Sequence, residues 1–321
     1  MARRLNRRLP RPRRCEAGLR KGLLVALAAL AIAGAGGAAD RGRDPRVALR
    51  RELQTEINLE RAARGLPPLE LEATLVRRAD ERAALAERAG GVAEAPLSSA
   101  EALVELARRG YEASRVTEML VQSDGSPEEV VGFWRRQAGA GFAEALSAEY
   151  GDLGVGVAVP EDAPPIYAFV FARSAADDFR ARTARLADLD AVRAVLLERT
   201  HAARRAAGRP PLRADARLER AAQEYAELML RRGHYGHTGP DGSTALERAA
   251  AAGYAGRTVA ENLARGQDSP EQAVEAWLAS RPHRRNLLDP ELSDVGHGLA
   301  FGRGPDGRQI YWVQLFGTRA E

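Results

Sequence analysis

The chain of 321 residues contains a single cysteine, Cys15, and a single lysine, Lys21, and both lie near the N-terminus. From residue 40 onward there is no cysteine, so no disulfide, thiol nucleophile or cysteine-ligated metal is available there. The remaining sequence must therefore be stabilised by hydrophobic cores alone, which domains of more than about 100 residues can supply.

An excess of basic residues is also absent outside the N-terminus. Residues 1–39 hold nine basic residues and one acidic residue, a charge of +8. The whole chain carries +4, so residues 40–321 carry −4. A mildly acidic body without a compact basic face argues against nucleic acid as a partner.

The basic residues belong to an N-terminal segment that is typical of export. The arginine-rich start is followed by an apolar run, Gly22–Ala35, and then by the small residues Gly36–Ala39. This pattern predicts a signal peptide over residues 1–39, cleaved near Ala39. An uncleaved anchor is the alternative, although the run is shorter than the roughly 20 residues that span a bilayer. We expect an exported protein, outside the cell or at its envelope, with membrane contact only through this segment if it is retained.

Several catalytic motifs are missing as well. The chain has no glycine-rich phosphate loop, no Gly-x-Ser-x-Gly and no His-Glu-x-x-His. Ser243 and Ser280 lie near histidines in the sequence, but their spacing does not mark either as a nucleophile.

An internal repeat organises the rest of the chain. Residues 57–134 align without a gap with residues 200–277, at a constant offset of 143 positions. The matched features include a Gly-x-Pro-Pro-Leu segment, a Gly-Tyr pair, a glutamate, a Ser-Pro-Glu segment and a tryptophan. A long period that occurs twice indicates duplicated domains. The predicted boundaries are a first domain at 46–173, a linker at 174–188, with continuation into the following helix as an alternative, and a second domain at 189–318.

Each repeat has the same predicted elements. A first helix, at 46–63 or 190–206, ends at a glycine followed by Pro-Pro. Thr244 with Glu247, and Ser269 with Gln272, have the spacing of helix capping pairs. The apolar runs Val295–Phe301 and Ile310–Phe316 predict two antiparallel strands. Helices that precede strands indicate an α+β fold.

Histidine occurs only in the second repeat, and its five positions are His201, His234, His237, His283 and His297. The first repeat has Glu94 and Ala140 where the second has His237 and His283, and it keeps Glu118 where the second has Glu261. We predict His201 at the surface, His234 in a turn and His297 in a strand, either packed or at an edge. Tyr225, Trp277 and Trp312 have the spacing of core aromatic residues.

The second repeat, from Asp190 to Thr318, resembles the CAP superfamily of cysteine-rich secretory, antigen 5 and pathogenesis-related 1 proteins, in its bacterial SCP-like branch. The resemblance rests on an ordered series of motifs that runs Gly208-Arg-Pro-Pro-Leu, Gly236-His-Thr-Gly-Pro-Asp-Gly, Glu261-Asn-Leu-Ala, Pro282-His-Arg-Arg-Asn, Val295-Gly-His-Gly and Tyr311-Trp-Val-Gln-Leu-Phe-Gly. It implies two tandem α-β-α sandwiches, each with a central antiparallel sheet, of which the first is degenerate.

The resemblance also implies a polar cleft of two histidines and two acidic residues. His237, Glu261 and His283 match three of these positions, and Ser280 stands where the fourth, an acid, is expected. Two imidazoles and one carboxylate can ligate a divalent metal such as Zn²⁺. They can also act as acid and base without a metal, or simply brace the loops.

Two functions fit these residues. The first is a binding or interaction module for a lipid, an envelope glycan or another protein. The second is a hydrolase or peptidase, either metal-assisted or metal-free, that uses His237, Glu261 and His283. The first repeat is then a scaffold for the second, or a regulatory or docking copy.

Overall fold

The computed structural model describes residues 44–94, 99–137 and 146–318, and the chain divides into two compact units at Ala175/Ala176. The predicted signal segment 1–39, Cys15 and Ala140 lie outside the described residues. None of the described helices is long and apolar enough to cross a membrane.

The first unit alternates helices with short and long strands. Its elements are α1 Pro45–Ala62, β1 Glu70–Leu71, α2 Ala73–Arg88, a 3₁₀ turn Val92–Glu94, α3 Ser99–Arg108, β2 Ala113–Gln122, α4 Pro127–Gln137, β3 Asp152–Ala158 and β4 Ile166–Ser174.

The second unit follows this order after one additional helix, and it has a further helix, Arg281–Leu287, without a counterpart among the described residues of the first unit. Its elements are α5 Ala175–Thr183, a 3₁₀ turn Ala184–Leu186, α6 Leu189–Ala206, β5 Arg213–Ala214, α7 Ala216–Arg232, α8 Ala245–Ala251, β6 Val259–Arg265, α9 Pro270–Ala279, α10 Arg281–Leu287, β7 Asp294–Gly304 and β8 Gly307–Gly317.

Both units contain a four-stranded sheet of the same topology, in the orders β1-β3-β4-β2 and β5-β7-β8-β6. The two strands predicted at the end of the second repeat pair antiparallel, as expected. The sheets are mixed, however, because β1 and β5 join them in parallel over two residues each. The expectation of a purely antiparallel sheet is therefore wrong. In each sheet the strand that carries the aligned glutamate, β2 or β6, lies at an edge.

Helices cover both faces of each sheet. In the second unit, α7 and α8 pack on one face in a core that includes Tyr225, Leu263 and Tyr311. Helices α6, α9 and α10 pack on the other face around Trp277 and Trp312. The first unit divides its core in the same way. The predicted α+β class, with the sheet between helical layers, describes each unit.

Glycine in the central strands allows the helix to approach the sheet. A Cβ atom at Gly298 would lie 2.2 Å from the backbone carbonyl carbon of Ala222 in α7. At the corresponding Gly156 in the first unit the distance to Ala79 of α2 would be 2.1 Å. Only a residue without a side chain fits such a contact.

Local helix signals are confirmed. Thr244 and Glu247 form a reciprocal capping box at the start of α8, and the Ser269 side chain caps α9. The two first helices begin within one residue of their predicted starts.

The residues predicted as a linker, 174–188, form part of β4, helix α5 and a 3₁₀ turn. The structure does not join α5 to the next helix, because α5 ends at Thr183 and α6 begins at Leu189. Phe179 and Leu186 are buried in the core of the second unit. Residues 176–188 are therefore a structural part of that unit.

Candidate functional site

Glu261 lies in β6, and both of its carboxylate oxygens are occupied. Its side chain is 3% exposed. His237 Nδ1 donates to Oε1 at 2.8 Å, and the Arg248 guanidinium donates to Oε2 at 2.7 Å. The carboxylate is thus held between an imidazole and a permanent cation.

The loop that carries His237 is fixed by its neighbours. Helix α7 ends at Gly233, whose φ of 62° is the left-handed conformation that glycine favours at a helix C-cap. The Tyr225 hydroxyl donates to the backbone carbonyl of Gly236. Arg248 donates to the carbonyl of His237 at 3.2 Å, so the same guanidinium orients both partners of the pair.

Arg248 is a central residue that the sequence analysis missed. Its side chain is 10% exposed, and its guanidinium lies 3.4 Å from the centroid of the Tyr225 ring. It also donates to the Ser243 carbonyl at 2.7 Å. The capping box of α8 was visible in the sequence, but nothing in the motif indicated that this arginine, one turn later, would turn toward Glu261.

His283 is held beside β6 by two asparagines. Asn262 donates to the His283 carbonyl at 3.1 Å, and Asn286 donates to the Asn262 side-chain oxygen at 3.0 Å and to the Glu261 carbonyl at 3.2 Å. These contacts fix the backbone of α10. The His283 imidazole itself makes no hydrogen bond with any described residue.

The two cleft histidines have opposite electrostatic environments. The hydrogen bond to Glu261 is the main cause of the raised pKa of His237, and it outweighs the effect of burial. Burial is the main cause of the lowered pKa of His283, and the nearby charge of His237 adds to it. Near pH 6.5, their ordinary value, the protein therefore favours a charged His237 and a neutral His283.

A cavity of about 350 Å³ opens beside the free edge of β6. Ser280 and His283 both line this cavity, so two of the four predicted cleft positions face the same space. The other lining residues are Tyr235, Leu263, Ala264, Arg265, Gln267, Ala276 and Trp277. The indole nitrogen of Trp277 and the amide oxygen of Gln267 are buried without a hydrogen-bond partner among the described residues, which is uncommon for buried polar atoms. Trp277 is a core residue as predicted, but it also forms part of the cavity wall.

The predicted metal set does not fit this arrangement. No group of three or more His, Cys, Asp or Glu residues within the described parts of the chain is placed to hold a metal ion. Arg248 supplies the positive charge next to Glu261, and His237 Nδ1 is committed to the same carboxylate. A zinc site at His237, Glu261 and His283 is therefore not assembled here.

The other three histidines have structural contacts. The prediction that His201 lies at the surface is wrong, since it is partly buried and its Nε2 donates to the Leu212 carbonyl at 2.8 Å. His234 follows α7 in a loop, as expected, and donates to the Thr238 carbonyl at 2.8 Å. His297 lies in the interior strand β7, where Gln314 donates to it at 3.1 Å and burial lowers its pKa to about 3.

In the first unit, the aligned Glu118 has different partners. Arg78 of α2 donates to it at 2.6 Å, and Arg82 lies within ion-pair distance at 3.3 Å. The alignment places Arg82 opposite Tyr225 and Glu105 opposite Arg248. The arginine next to the glutamate thus comes from a different helix, and no imidazole is involved.

Comparisons with known proteins give a family match that lies within the second unit. Residues 197–316 match the family model "CAP: Cysteine-rich secretory protein family". The uncharacterized protein YkwD of Bacillus subtilis is 32% identical over 103 residues, which are 32% of this chain and 40% of YkwD. The chain thus spans well under two thirds of that relative.

Solved structures also match. An outer surface protein from Borrelia burgdorferi is 26% identical, with a TM-score of 0.36, over 39% of this chain and 91% of that one. An extracellular SCP-domain protein from Bacillus anthracis is 17% identical, with a TM-score of 0.37, over 51% of this chain and 60% of that one. The family match falls on the unit that contains His237, Glu261 and His283. Residues 197–316 therefore form a CAP domain.

Proposed function

We propose that the protein is an exported binding module, and that the cleft of its second unit holds the ligand. The observation that carries this proposal is the contrast within the cleft. Glu261 is fully engaged by His237 and Arg248, whereas the neighbouring cavity, with Ser280 and the His283 imidazole in its wall, is open. A carboxylate that is held in place by His237 and Arg248, next to an accessible cavity, favours ligand binding over catalysis.

The composition of the cavity supports binding. Its volume of about 350 Å³ lies at the lower end of the range of about 300–1,000 Å³ that is typical of ligand pockets. Leu263, Ala276, Trp277 and Tyr235 supply apolar surface, and a few polar groups are available to orient a ligand. The surface exposed in the cavity is more polar than apolar, so a ligand finds hydrogen-bonding groups as well as apolar contacts there.

The hydrolase alternative has less support. A nucleophile needs a general base within hydrogen-bond distance. The two candidate serines, Ser243 and Ser280, form no hydrogen bond with either cleft histidine. Both carboxylate oxygens of Glu261 already accept hydrogen bonds, from His237 and from Arg248, so neither is free to take a proton from a nucleophile.

Export is proposed from two features. The N-terminal segment has the layout of a signal peptide, and the family that residues 197–316 match is named as a secretory one. The ligand is then a molecule of the envelope or the exterior, which is a lipid, a glycan or a protein.

We also propose that the first unit is a degenerate copy of the CAP domain. The constant sequence offset, the identical sheet order and equivalent contacts support this. One such contact is a buried arginine that donates to the Pro-Pro segment, Arg61 to the Pro67 carbonyl at 2.8 Å and Arg204 to the Pro210 carbonyl at 2.7 Å. Because the first unit lacks imidazoles, its role is as a scaffold or a docking surface.

Cosedimentation tests the binding function. The chain without residues 1–39 is mixed with purified peptidoglycan, with phospholipid vesicles and with peptide-coated beads. Ser280→Phe fills the cavity and should abolish retention on whichever material binds. Leu246→Phe is the control, since Leu246 is an exposed leucine that is not part of the cavity wall. Retention on none of the three materials, or steady peptide turnover that Glu261→Gln abolishes, would overturn the proposal.

A further inference from the structure

The outer edge of β6 pairs with no other strand among the described residues, and the strand register shows which residues face outward. β6 pairs antiparallel with β8 alone, with Glu261 opposite Leu315 and Leu263 opposite Val313. At its two ends, Gly266 donates to the Ile310 carbonyl and Thr318 donates to the Thr258 carbonyl. In an antiparallel ladder, alternate residues bond to the partner strand. The even-numbered residues therefore bond to β8, and the backbone groups of Val259, Glu261, Leu263 and Arg265 face outward.

Part of this edge is hydrogen-bonded and part is not, and in the second part Leu263 is 3% exposed whereas Arg265 is exposed. The outward carbonyl of Glu261 accepts a hydrogen bond from Asn286, so α10 covers the edge at that point. Further along, no described residue bonds to the outward backbone groups of Leu263 or Arg265. These two residues, with Ala264 between them, line the cavity. The cavity thus runs along two pairs of unpaired backbone donors and acceptors.

Unpaired N–H and C=O groups on an edge strand form a template for another strand. Outward pairs recur every second residue, about 6.8 Å apart, which matches the repeat of any extended peptide. A lipid tail offers no backbone hydrogen bonds to satisfy these groups. A short peptide offers up to four, in the geometry of strand addition.

We propose that the cleft binds an extended peptide segment of another protein, which adds to the edge of β6 beside Leu263 and Arg265. This inference rests on the proposed binding function and names the ligand class of the same cleft. The peptide backbone pairs with β6, and its alternate side chains point to the two walls of the cavity.

The cavity wall indicates the side chains that such a peptide carries. Tyr235, Ala276 and Trp277 are among the lining residues, so the cavity offers apolar contacts to a peptide side chain. Arg265 is the charged residue of the lining, and no carboxylate is among the described residues that line the cavity. Helix α10 adds the exposed arginines 281, 284 and 285, which have no carboxylate partner among the described residues. The preferred segment therefore combines apolar residues with at least one acidic residue.

The probe is a synthetic library of acetylated, amidated heptapeptides that are randomised except for one fixed glutamate. Peptides that bind the chain without residues 1–39, but not Ser280→Phe, are measured by calorimetry. Each is then N-methylated at one position at a time. N-methylation at the residues that face β6 should weaken binding by about tenfold, since each change removes one hydrogen bond and blocks the edge. N-methylation at the intervening residues should have little effect.

A matched pair of protein variants tests the same edge from the other side. Arg265→Pro removes the outward N–H and blocks the edge, whereas Arg265→Ala keeps that N–H and removes only the side chain. Proline is tolerated on an edge strand where its missing N–H faces away from the ladder. The proline variant should bind at least about tenfold more weakly than the alanine variant. If the proline variant fails to fold, the N-methyl series alone decides.

The outcomes separate this inference from the proposed function. Equal binding of all N-methylated peptides, or no peptide binding, overturns strand addition. If peptidoglycan or vesicles are still retained in a manner that Ser280→Phe abolishes, the binding function stands with a different ligand. If no material binds, both fail.

Discussion

At the level of single residues, Glu118 and Glu261 show how one carboxylate position can be kept with different partners. Both lie in an edge strand with their side chains 2% and 3% exposed. Arginines of α2 hold Glu118, whereas an imidazole and an arginine of α8 hold Glu261. A buried carboxylate needs a charged or hydrogen-bonding partner. The fold accommodates a buried carboxylate at this position in both units. The two units differ in the residues that bond to that carboxylate.

The opposite shifts of His237 and His283 give a prediction for their titration. We expect the His237 imidazole to titrate above 6.5 and the His283 imidazole below it, as measured by NMR of the ring nitrogens. Glu261→Gln should lower the pKa of His237, because the hydrogen bond to the carboxylate is its main cause. Glu275→Gln, at an exposed position of α9, should leave both unchanged. Coincident titration of the two rings would contradict the structure.

The raised pKa also fixes the sign of a small stability effect. The pair with Glu261 contributes fully below pH 6.5, and that contribution is lost as the pH rises through the folded-state pKa of His237. Because the His237 side chain is 62% exposed, we expect the contribution to be below about 1 kcal/mol. His237→Ala should accordingly cost more stability at pH 5.5 than at pH 8.5 in urea unfolding.

We expect Arg248 to contribute strongly to stability, although it belongs to none of the sequence motifs. Arg248→Met removes the cation beside Glu261 and the donors to the carbonyls of His237 and Ser243. We expect a loss of about 2–4 kcal/mol in the free energy of unfolding, because buried acceptors are left unpaired. Arg257→Met, at an exposed arginine without a carboxylate partner among the described residues, is the control and should change stability by less than about 0.5 kcal/mol. Similar losses in both variants would disprove this role.

At the level of elements, local signals predict helix ends well and tertiary contacts poorly. The capping pairs at α8 and α9 involve residues three positions apart, so the sequence contains the whole interaction. Strand β6 was not predicted because Glu261 and Asn262 interrupt its apolar pattern. Their side chains are satisfied by distant partners, His237, Arg248 and Gln314. Because these partners are far away in the sequence, the residues of β6 alone do not identify it as a strand.

The role of His201 was hidden for a similar reason. The aligned Asn58 donates to the Leu69 carbonyl at 3.0 Å, and His201 donates to the corresponding Leu212 carbonyl at 2.8 Å. Two different side chains therefore brace the same turn. The alignment showed that they occupy one position, but only the structure shows their shared acceptor.

The close contact between helix and sheet gives a prediction for the first unit. Gly156→Ala would place a Cβ atom 2.1 Å from the Ala79 carbonyl, so β3 and α2 must move apart. We expect a loss of about 1–3 kcal/mol or more in the free energy of unfolding, as for other overpacked sites. Gly151→Ala is the matched control, since nothing lies within 4 Å of its Cβ position. A Gly156→Ala protein as stable as this control would show that the helix contact is looser than described.

At the level of the whole molecule, each unit has its own hydrophobic cores. Among the described residues, the buried members of the two core clusters of the first unit lie between 53 and 172, and those of the second unit lie between 179 and 316. The sequence repeat anticipated this division, because a duplicated domain duplicates its core. It did not anticipate that the second core extends back into residues 174–188, because two isolated apolar residues leave no periodic pattern.

This extension predicts where a stable fragment begins. Residues 176–321 should fold alone and unfold cooperatively in urea, and should keep the separate titrations of His237 and His283. A fragment that begins at 189, the domain start predicted from sequence, lacks Phe179 and Leu186, which are 9% and 0% exposed. At about 1.5–3 kcal/mol for each large apolar side chain, it should be less stable by roughly 3–5 kcal/mol. Equal stability would return residues 176–188 to the role of a linker, whereas failure of both fragments to fold would make the first unit a required scaffold.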